Sequence, residues 1–179
     1  MARDLSKLTT FPFTLPVAVR SLDDPAQVEP DRAGERGVDC PLCAAPDTDY
    51  LWSDDRWRLW LYTPSPFRGV VILSPREHVQ TVGELSADLA ADLGPMLGRV
   101  DRAVYGLGGI GRVHLNYWGD GSAHLHIWFY PRPYGALQLR GTFLGMWSVL
   151  LPDLPDEQVR SAGVQIARTL AAESGTAQL

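Results

Sequence analysis

The sequence predicts an α+β fold in which an antiparallel sheet carries helices on one side and a helical extension follows at the C-terminus. Three observations support this prediction. Short runs rich in aromatic and β-branched residues, such as Trp57–Tyr62 and Val70–Leu73, are typical of strands. The segment Gly119–Ser122, which reads Gly-Asp-Gly-Ser, indicates a hairpin turn between two later runs. Two longer stretches repeat apolar residues at the spacing of an amphipathic helix.

Length and composition fit one globular domain with additions. The chain has 179 residues, of which 45% are hydrophobic and 21% charged. A net charge of −5 argues against a nucleic-acid-binding protein, which is usually basic. It does not exclude a protein that binds phosphorylated small molecules. The sequence contains no run of 18 apolar residues, and prolines interrupt the weakly apolar N-terminus. We therefore expect a cytoplasmic protein that has neither a membrane span nor a signal peptide.

The sequence divides near position 38 into an irregular arm and a compact part. Residues 1–37 contain prolines, acidic residues and glycines without a sustained period, so we expect an arm that is mobile or draped over the surface. The compact part begins at Val38, immediately before Cys40-Pro-Leu-Cys43. Its first predicted strands are Tyr50–Trp52, Trp57–Tyr62 and Val70–Leu73, and we expect their tryptophans to pack within the hairpin.

The remaining elements are a long helix, two strands and a second helix. Apolar residues recur at helical spacing from Glu84 to Tyr105, and Pro95 predicts a kink or a break within this helix. The strands Val113–Trp118 and His124–Tyr130 follow, and the prolines after Tyr130 close the sheet. The last helix has a single apolar stripe, predicted to pack on the sheet and formed by Val159, Ala162, Ile166 and Leu170.

Two of the four histidines lie on the last predicted strand. Side chains alternate between the faces of a strand, so His124, His126 and Trp128 are expected on one face. Leu125 and Ile127 are expected on the opposite, apolar face. A strand that merely contains histidines in a polar sheet is the alternative interpretation.

The only cysteines, Cys40 and Cys43, form a Cys-x-x-Cys pair. Such a pair can be a redox centre or half of a zinc site. A redox pair of the thioredoxin type follows a strand within a βαβ unit, whereas this pair opens the domain. Zinc needs two further ligands, and His78 and His124 are the natural candidates because thiolate and imidazole both suit this cation. With four protein ligands such a site is structural.

The motifs in this order resemble the histidine triad superfamily, including its galactose-1-phosphate uridylyltransferase branch. The resemblance covers about residues 38–135. It rests on three segments: Cys40-Pro-Leu-Cys43, Pro75-Arg-Glu-His78 and His124-Leu-His126-Ile-Trp128-Phe. It implies a zinc-binding α+β domain, commonly a homodimer, that hydrolyses or transfers nucleotidyl groups.

The resemblance also implies roles for individual residues. His126 matches the histidine that attacks the α-phosphorus and forms a nucleotidyl-histidine intermediate. His124, held on zinc, is expected to present a backbone carbonyl that orients the His126 ring. Asn116 stands where the family often has an asparagine, and Arg132 is a candidate contact for phosphate. Ser122, a further candidate for substrate contact, lies in a turn that is shifted from the family's polar run and carries the Asp120 carboxylate.

Two departures from the family pattern bear on the chemistry. Trp128 replaces the third histidine of the triad, and an indole N–H cannot carry a proton in an acid–base cycle. Tyr62 stands where many members have an aspartate for the ribose hydroxyls. Both residues remain candidates for substrate contact through their aromatic surfaces.

These observations leave three functions open. The first is a nucleotidyl hydrolase or transferase acting on a nucleoside phosphoramidate, a dinucleoside polyphosphate or a nucleotide sugar through His126. The second is a catalytically silent module that binds a nucleotide or phosphorylated ligand. The third is an enzyme of the same fold whose substrate lacks ribose. The predicted organisation is an arm over 1–37, a histidine-triad-like domain over 38–135 and a helical extension over 136–179.

Overall fold

A computed structural model describes residues 8–14 and 16–178, and its centre is a six-stranded antiparallel sheet with the strand order β4-β5-β3-β2-β1-β6. The α+β prediction is confirmed. The strands are β1 (Trp52–Ser53), β2 (Trp57–Leu61), β3 (Val71–Pro75), β4 (Ile110–Asn116), β5 (Ile127–Pro133) and β6 (Thr176–Ala177). The helices are α1 (Pro41–Ala44), α2 (Ala87–Tyr105), α3 (Leu144–Leu150) and α4 (Asp156–Ala171). Within the described residues, no helix has the length and apolar character needed to cross a membrane.

The two long helices pack on one face of the sheet. Most of the predicted stripe of α4 lies in the main core, namely Ala162, Ile166 and Leu170, and Val159 is also fully buried. Helix α2 begins after Ser86, whose hydroxyl accepts a hydrogen bond from the Leu89 amide, and it continues through Pro95 without the predicted break. These helices cover the inward side chains of the central strands, including those of Leu125, Ile127 and Phe129.

The opposite face of the sheet is covered only in part. Helix α3 packs there, where its Leu144 joins Val70 and Tyr130 in a second, smaller apolar cluster. The prediction that helices lie on one side therefore holds for α2 and α4, whereas the short α3 lies on the other side. The uncovered part of this face is where the predicted site residues lie.

Strand β5 differs from its prediction at both ends. It starts at Ile127, where its ladder with β3 begins at the pair Leu73–Ile127, although β3 itself runs on to Pro75. The Leu125 amide instead donates to the Val79 carbonyl, beyond the end of β3. At its other end β5 runs on to Pro133 and pairs there with β4 alone. Its prolines are tolerated because β3 does not pair with this part of β5, so no hydrogen bond to β3 is lost.

The termini of the described chain are tied to this framework. Strand β6 pairs with β1 through Trp52 and Ala177, which adds the C-terminal segment to the sheet. The arm contacts α3 near its start, where the Trp147 indole donates to the Thr10 carbonyl over 2.9 Å. Near its end, Ala33 forms a bridge with Ser122. The division into 1–37, 38–135 and 136–179 stays a prediction.

Candidate metal centre and adjoining cleft

Four residues from three separate segments converge beside the start of β5. Cys40 is the N-cap of α1 and Cys43 lies within it, so one helical turn brings the two thiols to the same side. His78 follows β3 and His124 precedes β5, two strands that are neighbours in the sheet. We call these residues the metal cluster: Cys40, Cys43, His78 and His124, whose ligand atoms all lie within 4.8 Å of one another.

The separations inside the metal cluster fit a tetrahedral metal ion. The Cys40 Sγ lies 3.4 Å from the His124 Nδ1, and the Cys43 Sγ lies 3.5 Å from the same atom. The Cys43 Sγ also lies 3.4 Å from the His78 Nδ1. Tetrahedral zinc with ordinary bond lengths of about 2.3 Å to sulfur and 2.0 Å to nitrogen places such atoms about 3.6 Å apart. The metal cluster can therefore hold a metal ion with little movement.

The protonation of His124 also fits a ligand role. Its Nε2 lies 2.9 Å from the Pro75 carbonyl oxygen, which can only accept, so the proton is on Nε2 and Nδ1 faces the thiols with a free lone pair. Burial lowers the pKa of His124 below its ordinary value and keeps the ring neutral near pH 7.

In the absence of a cation the Cys43 thiol is harder to ionise than a free thiol. Desolvation and the neighbouring Cys40 raise the pKa of Cys43 to about 11. A bound divalent cation reverses this effect, because thiolates are the ligand form and binding releases their protons. This set of two thiols and two imidazoles therefore suits a soft divalent cation.

His126 is held two residues beyond the metal cluster. Its Nδ1 lies 2.7 Å from the backbone carbonyl of His124, so Nδ1 carries the proton and Nε2 keeps its lone pair. The ring is 9% exposed and borders an open cleft. The orientation expected from sequence, in which the His124 carbonyl orients the His126 ring, is present in the structure.

The cleft beside His126 has a volume of about 240 Å³ and an apolar wall. We call this space the cleft, and it is lined by Leu42, Trp60, Tyr62, Ile72, Gly121, Ser122, His126 and Trp128. The Tyr62 and Trp128 rings meet edge to face with centroids 5.0 Å apart. The centroid of the Trp128 ring lies 6.5 Å from that of His126. Within the described residues, no side chain that lines the cleft carries a fixed charge.

Three of the five predicted substrate residues line this cleft, namely Tyr62, Ser122 and Trp128. Asn116 does not, although it is the register partner of Trp128 on β4. Arg132 lies further away, because it is six positions along the chain from His126 and this corresponds to about 20 Å of strand. It is 7% exposed, lies against Gly111 and donates to the carbonyls of Pro133 and Ala136.

Sequence reasoning missed Trp60, Ile72 and Leu42 as cleft residues. Trp60 is predicted to pack within the hairpin with Trp52 and Trp57, but those two side chains lie in the main core. In the structure Trp60 pairs with Ile72, which pairs with Trp128, so one row across three strands forms the base of the cleft. The alternation that places Tyr62 on this face also places Trp60 there, and this was the available signal. The indole N–H of Trp60 is buried without an acceptor among the described residues.

Comparison with solved structures identifies the fold. A zinc-bound histidine triad family protein from Mycobacterium smegmatis aligns over 73% of this chain and 92% of its own, with a TM-score of 0.53 and 20% identity. A histidine triad protein from Bradyrhizobium japonicum aligns over 68% and 89%, with a TM-score of 0.55 and 18% identity. A diadenosine triphosphate hydrolase from Plasmodium falciparum, in complex with cyclomarin A, aligns over 73% and 81%, with a TM-score of 0.51 and 12% identity.

These similarities lie in the three-dimensional structure rather than in the amino-acid sequence. No protein-family profile matches the sequence, and no curated protein matches it. The many structural matches nevertheless include a series of histidine triad proteins. The chain thus has the fold of the histidine triad proteins, as the resemblance in sequence implied.

Proposed function

We propose that this protein is a nucleotidyl hydrolase or transferase in which His126 is the nucleophile. Its substrates are a nucleoside phosphoramidate, a dinucleoside polyphosphate or a nucleotide sugar. One observation carries the proposal: the His124 carbonyl holds the Nδ1 proton of His126 over 2.7 Å, which leaves Nε2 free at the edge of the cleft. A neutral imidazole held in one tautomer is a competent nucleophile near pH 7.

The reaction proceeds in two displacements. The Nε2 lone pair attacks the α-phosphorus, an N–P bond forms, and the bond from phosphorus to the leaving group breaks with its electron pair. Water or an acceptor alcohol then attacks the same phosphorus, the N–P bond breaks, and the neutral imidazole is restored after the attacking oxygen loses its proton. Splitting one difficult displacement into two easier ones is the gain of covalent catalysis.

The metal cluster is proposed to hold zinc in a structural role. A Zn²⁺ ion bound there supplies a tetrahedral cross-link between three chain segments, with no position open for substrate. The residues of this chain do the rest: His124 fixes the start of β5, and its carbonyl orients His126. The zinc-bound M. smegmatis protein of the same fold supports this assignment.

Trp128 limits which leaving groups this site can expel. Its indole can donate one hydrogen bond, but it has no proton to transfer near neutral pH. Leaving groups of low basicity, such as a nucleoside phosphate, need no proton from the enzyme at this position. The fold shared with a diadenosine triphosphate hydrolase is consistent with a leaving group of this kind.

A second candidate function is the same chemistry on a substrate without ribose. The observation that favours it is the apolar cleft wall, in which Tyr62 packs edge to face against Trp128 and no lining carboxylate is available for a diol. The catalytically silent binding module remains the alternative that the following experiment separates from both.

The quaternary and cellular assignments are also proposals. We infer a homodimer from the family resemblance and a cytoplasmic location from the sequence. Light scattering of the purified full chain measures the dimer directly. A mass of one chain, 19.7 kDa, at micromolar concentration would contradict it.

The proposed function is tested by intact-mass spectrometry of the full-length protein with bound metal. The protein is incubated with adenosine phosphoramidate, dinucleoside polyphosphates and nucleotide sugars, beside His126→Ala, and product release is followed in the same samples. We expect a nucleotidyl mass increment or product with the parent protein and neither with the variant. Absence of both from the parent, with the fold and metal intact, would favour the binding module or the substrate without ribose.

A further inference from the structure

We propose that Arg32 is a positioning residue that sets the cleft wall next to His126, and that the backbone of residues 32–37 couples this wall to the metal cluster. The inference rests on the proposed function. It concerns a residue outside the region of family resemblance. Its evidence is a set of contacts that converge on one guanidinium group.

The Arg32 side chain connects three segments that are distant in sequence. Its Nη1 donates to the Gly119 carbonyl over 2.7 Å, and its Nη2 donates to the Gln80 Oε1 over 2.7 Å. Its Nε donates to Glu35 over 3.0 Å, so the carboxylate holds the plane of the fork. A planar group with several donors fixes the relative position of its acceptors, which a flexible ammonium cannot do equally.

The Gly119 contact continues directly to the cleft wall. Next to Arg32, the Ala33 carbonyl accepts from the Ala123 amide over 2.9 Å and from the Ser122 hydroxyl over 3.2 Å. Residues 119–123 are therefore held at both ends by two successive residues of the arm. Ser122 and Gly121 line the cleft, so the position of this loop determines the space available beside His126.

The same segment lies against the metal cluster. A side chain at Gly34, whose φ is +82°, would meet the Cys40 Cβ at 3.0 Å and its Sγ at 3.1 Å. A Cβ at Gly37 would lie 3.7 Å from the His78 ring. Gln80, which Arg32 also contacts, is two residues beyond His78. Residues 32–37 therefore touch the metal cluster on one side and the loop of the cleft on the other.

The test compares two arginines of the same segment. Arg32→Ala removes the three-way contact, Arg32→Lys keeps the charge without the fork, and Arg36→Ala is the matched control. Arg36 is 79% exposed and its ion pair with Asp31 spans 3.6 Å. Each full-length protein is assayed for metal content, thermal midpoint, amide hydrogen exchange, kcat and KM.

We expect Arg32→Ala to speed exchange of the Ala123 amide at least about tenfold, since that amide is protected only while the loop stays docked. We expect kcat to fall by about tenfold through misplacement of the cleft wall, with metal content retained and Arg32→Lys intermediate. Arg36→Ala is expected to behave as the parent protein in all five measurements.

Two results would overturn the inference. Unchanged exchange at residues 119–123 in Arg32→Ala would show that Arg32 does not hold the loop. A lower thermal midpoint with unchanged kcat and KM would assign Arg32 a purely structural role. The exchange measurement needs no substrate, so a parent protein without turnover counts against the proposed function, while the exchange result alone still decides whether Arg32 holds the loop.

Discussion

The metal cluster and the cleft are two residues apart on one segment, yet they relate differently to the pattern that the sequence resembles. At the metal cluster all four donor residues are present and converge within 4.8 Å. In the cleft, the sequence departs from the family pattern at Tyr62 and Trp128, and an aromatic ring stands at each of these positions. The comparison indicates that the sequence follows the family pattern at the metal cluster and departs from it in the wall of the cleft.

The two regions differ because their residues depend on one another to different degrees. Removal of one ligand from the metal cluster leaves three groups, which do not complete a structural site of four protein ligands, so each member depends on the other three. Aromatic residues in the cleft contact one another only through their edges and faces, and each can be exchanged while the sheet beneath it persists. Substrate preference can thus change without loss of the fold.

The largest expected effect comes from breaking the metal cluster. Cys40→Ser is expected to abolish stoichiometric zinc and to lower the thermal midpoint by about 10 °C, which corresponds to a loss of several kcal/mol in a chain of this size. Elemental analysis and a thermal scan measure both. A chelator should destabilise the parent protein and have no further effect on the variant. A variant that keeps its zinc and its thermal midpoint would show that the metal cluster has no structural role.

The next effect separates the cleft from the metal cluster. His126→Ala is expected to lower product formation by about a thousandfold or more, as loss of a covalent nucleophile does, while zinc content and thermal midpoint stay as in the parent protein. His114→Ala is the matched control, because His114 lies on β4 opposite Tyr130 and does not line the cleft. Equal losses in the two variants would place the nucleophile elsewhere.

A smaller effect is expected from restoring the third histidine of the triad. Trp128→His introduces a group that can transfer a proton near pH 7, which is expected to raise kcat on substrates with basic leaving groups by about tenfold to a hundredfold. Phosphoramidates with amines of graded basicity provide the measurement. Trp128→Phe controls for the lost indole. An equal gain from phenylalanine would mean that space rather than proton transfer limits the reaction.

The smallest effect concerns acid stability on the metal-cluster side. Hydrogen bonding to Arg76, followed by the charges of Arg76 and Arg58, lowers the pKa of Asp47. A carboxyl with a depressed folded-state pKa stabilises the fold above its unfolded pKa, and this contribution disappears as the pH falls through the folded value. Asp47 is 37% exposed, so solvent screening limits the stabilisation to about 1 kcal/mol or less.

Asp47→Asn tests this contribution by urea unfolding at pH 7 and at pH 3. We expect the variant to be less stable than the parent protein at pH 7 and the difference to shrink at pH 3. Asp55→Asn is the matched control, since Asp55 forms no ion pair within the described residues. A difference that persists unchanged at pH 3 would mean that the charge of Asp47 is not its cause.

Local patterns in the sequence predicted five of the six strands, the long helices α2 and α4 and the Cys-x-x-Cys pair, but neither β6 nor the short helix α1. The stripe of α4 and the alternation around Ile127 are local signals, and the structure confirms both. The long spacing from Cys43 to His78 carries no such signal, so ligand chemistry made His78 a candidate and the family resemblance strengthened the connection. The structure explains how the histidine ligands come together, since β3 and β5 are neighbours in the sheet and their adjacent ends carry His78 and His124.

The cleft was predicted less well because its wall depends on register between strands. Trp60 and Ile72 enter it only through pairings across β2, β3 and β5, which no single run of sequence specifies. Arg132 was chosen for its chemistry, but it lies at the far end of β5. Likewise, nothing in the composition of residues 1–37 indicates that Arg32 contacts Gly119, because that contact joins positions 87 apart.

Strand β6 has a consequence for solubility. It consists of only two residues, yet it covers the outer edge of β1, whose backbone would otherwise present free hydrogen-bonding groups to other chains. Gly175, with a φ of +78°, lies where any Cβ would strike the Trp52 ring at 2.6 Å, so the approach of β6 depends on glycine at this position. A chain shortened before Gly175 would expose that edge and be prone to aggregate through it.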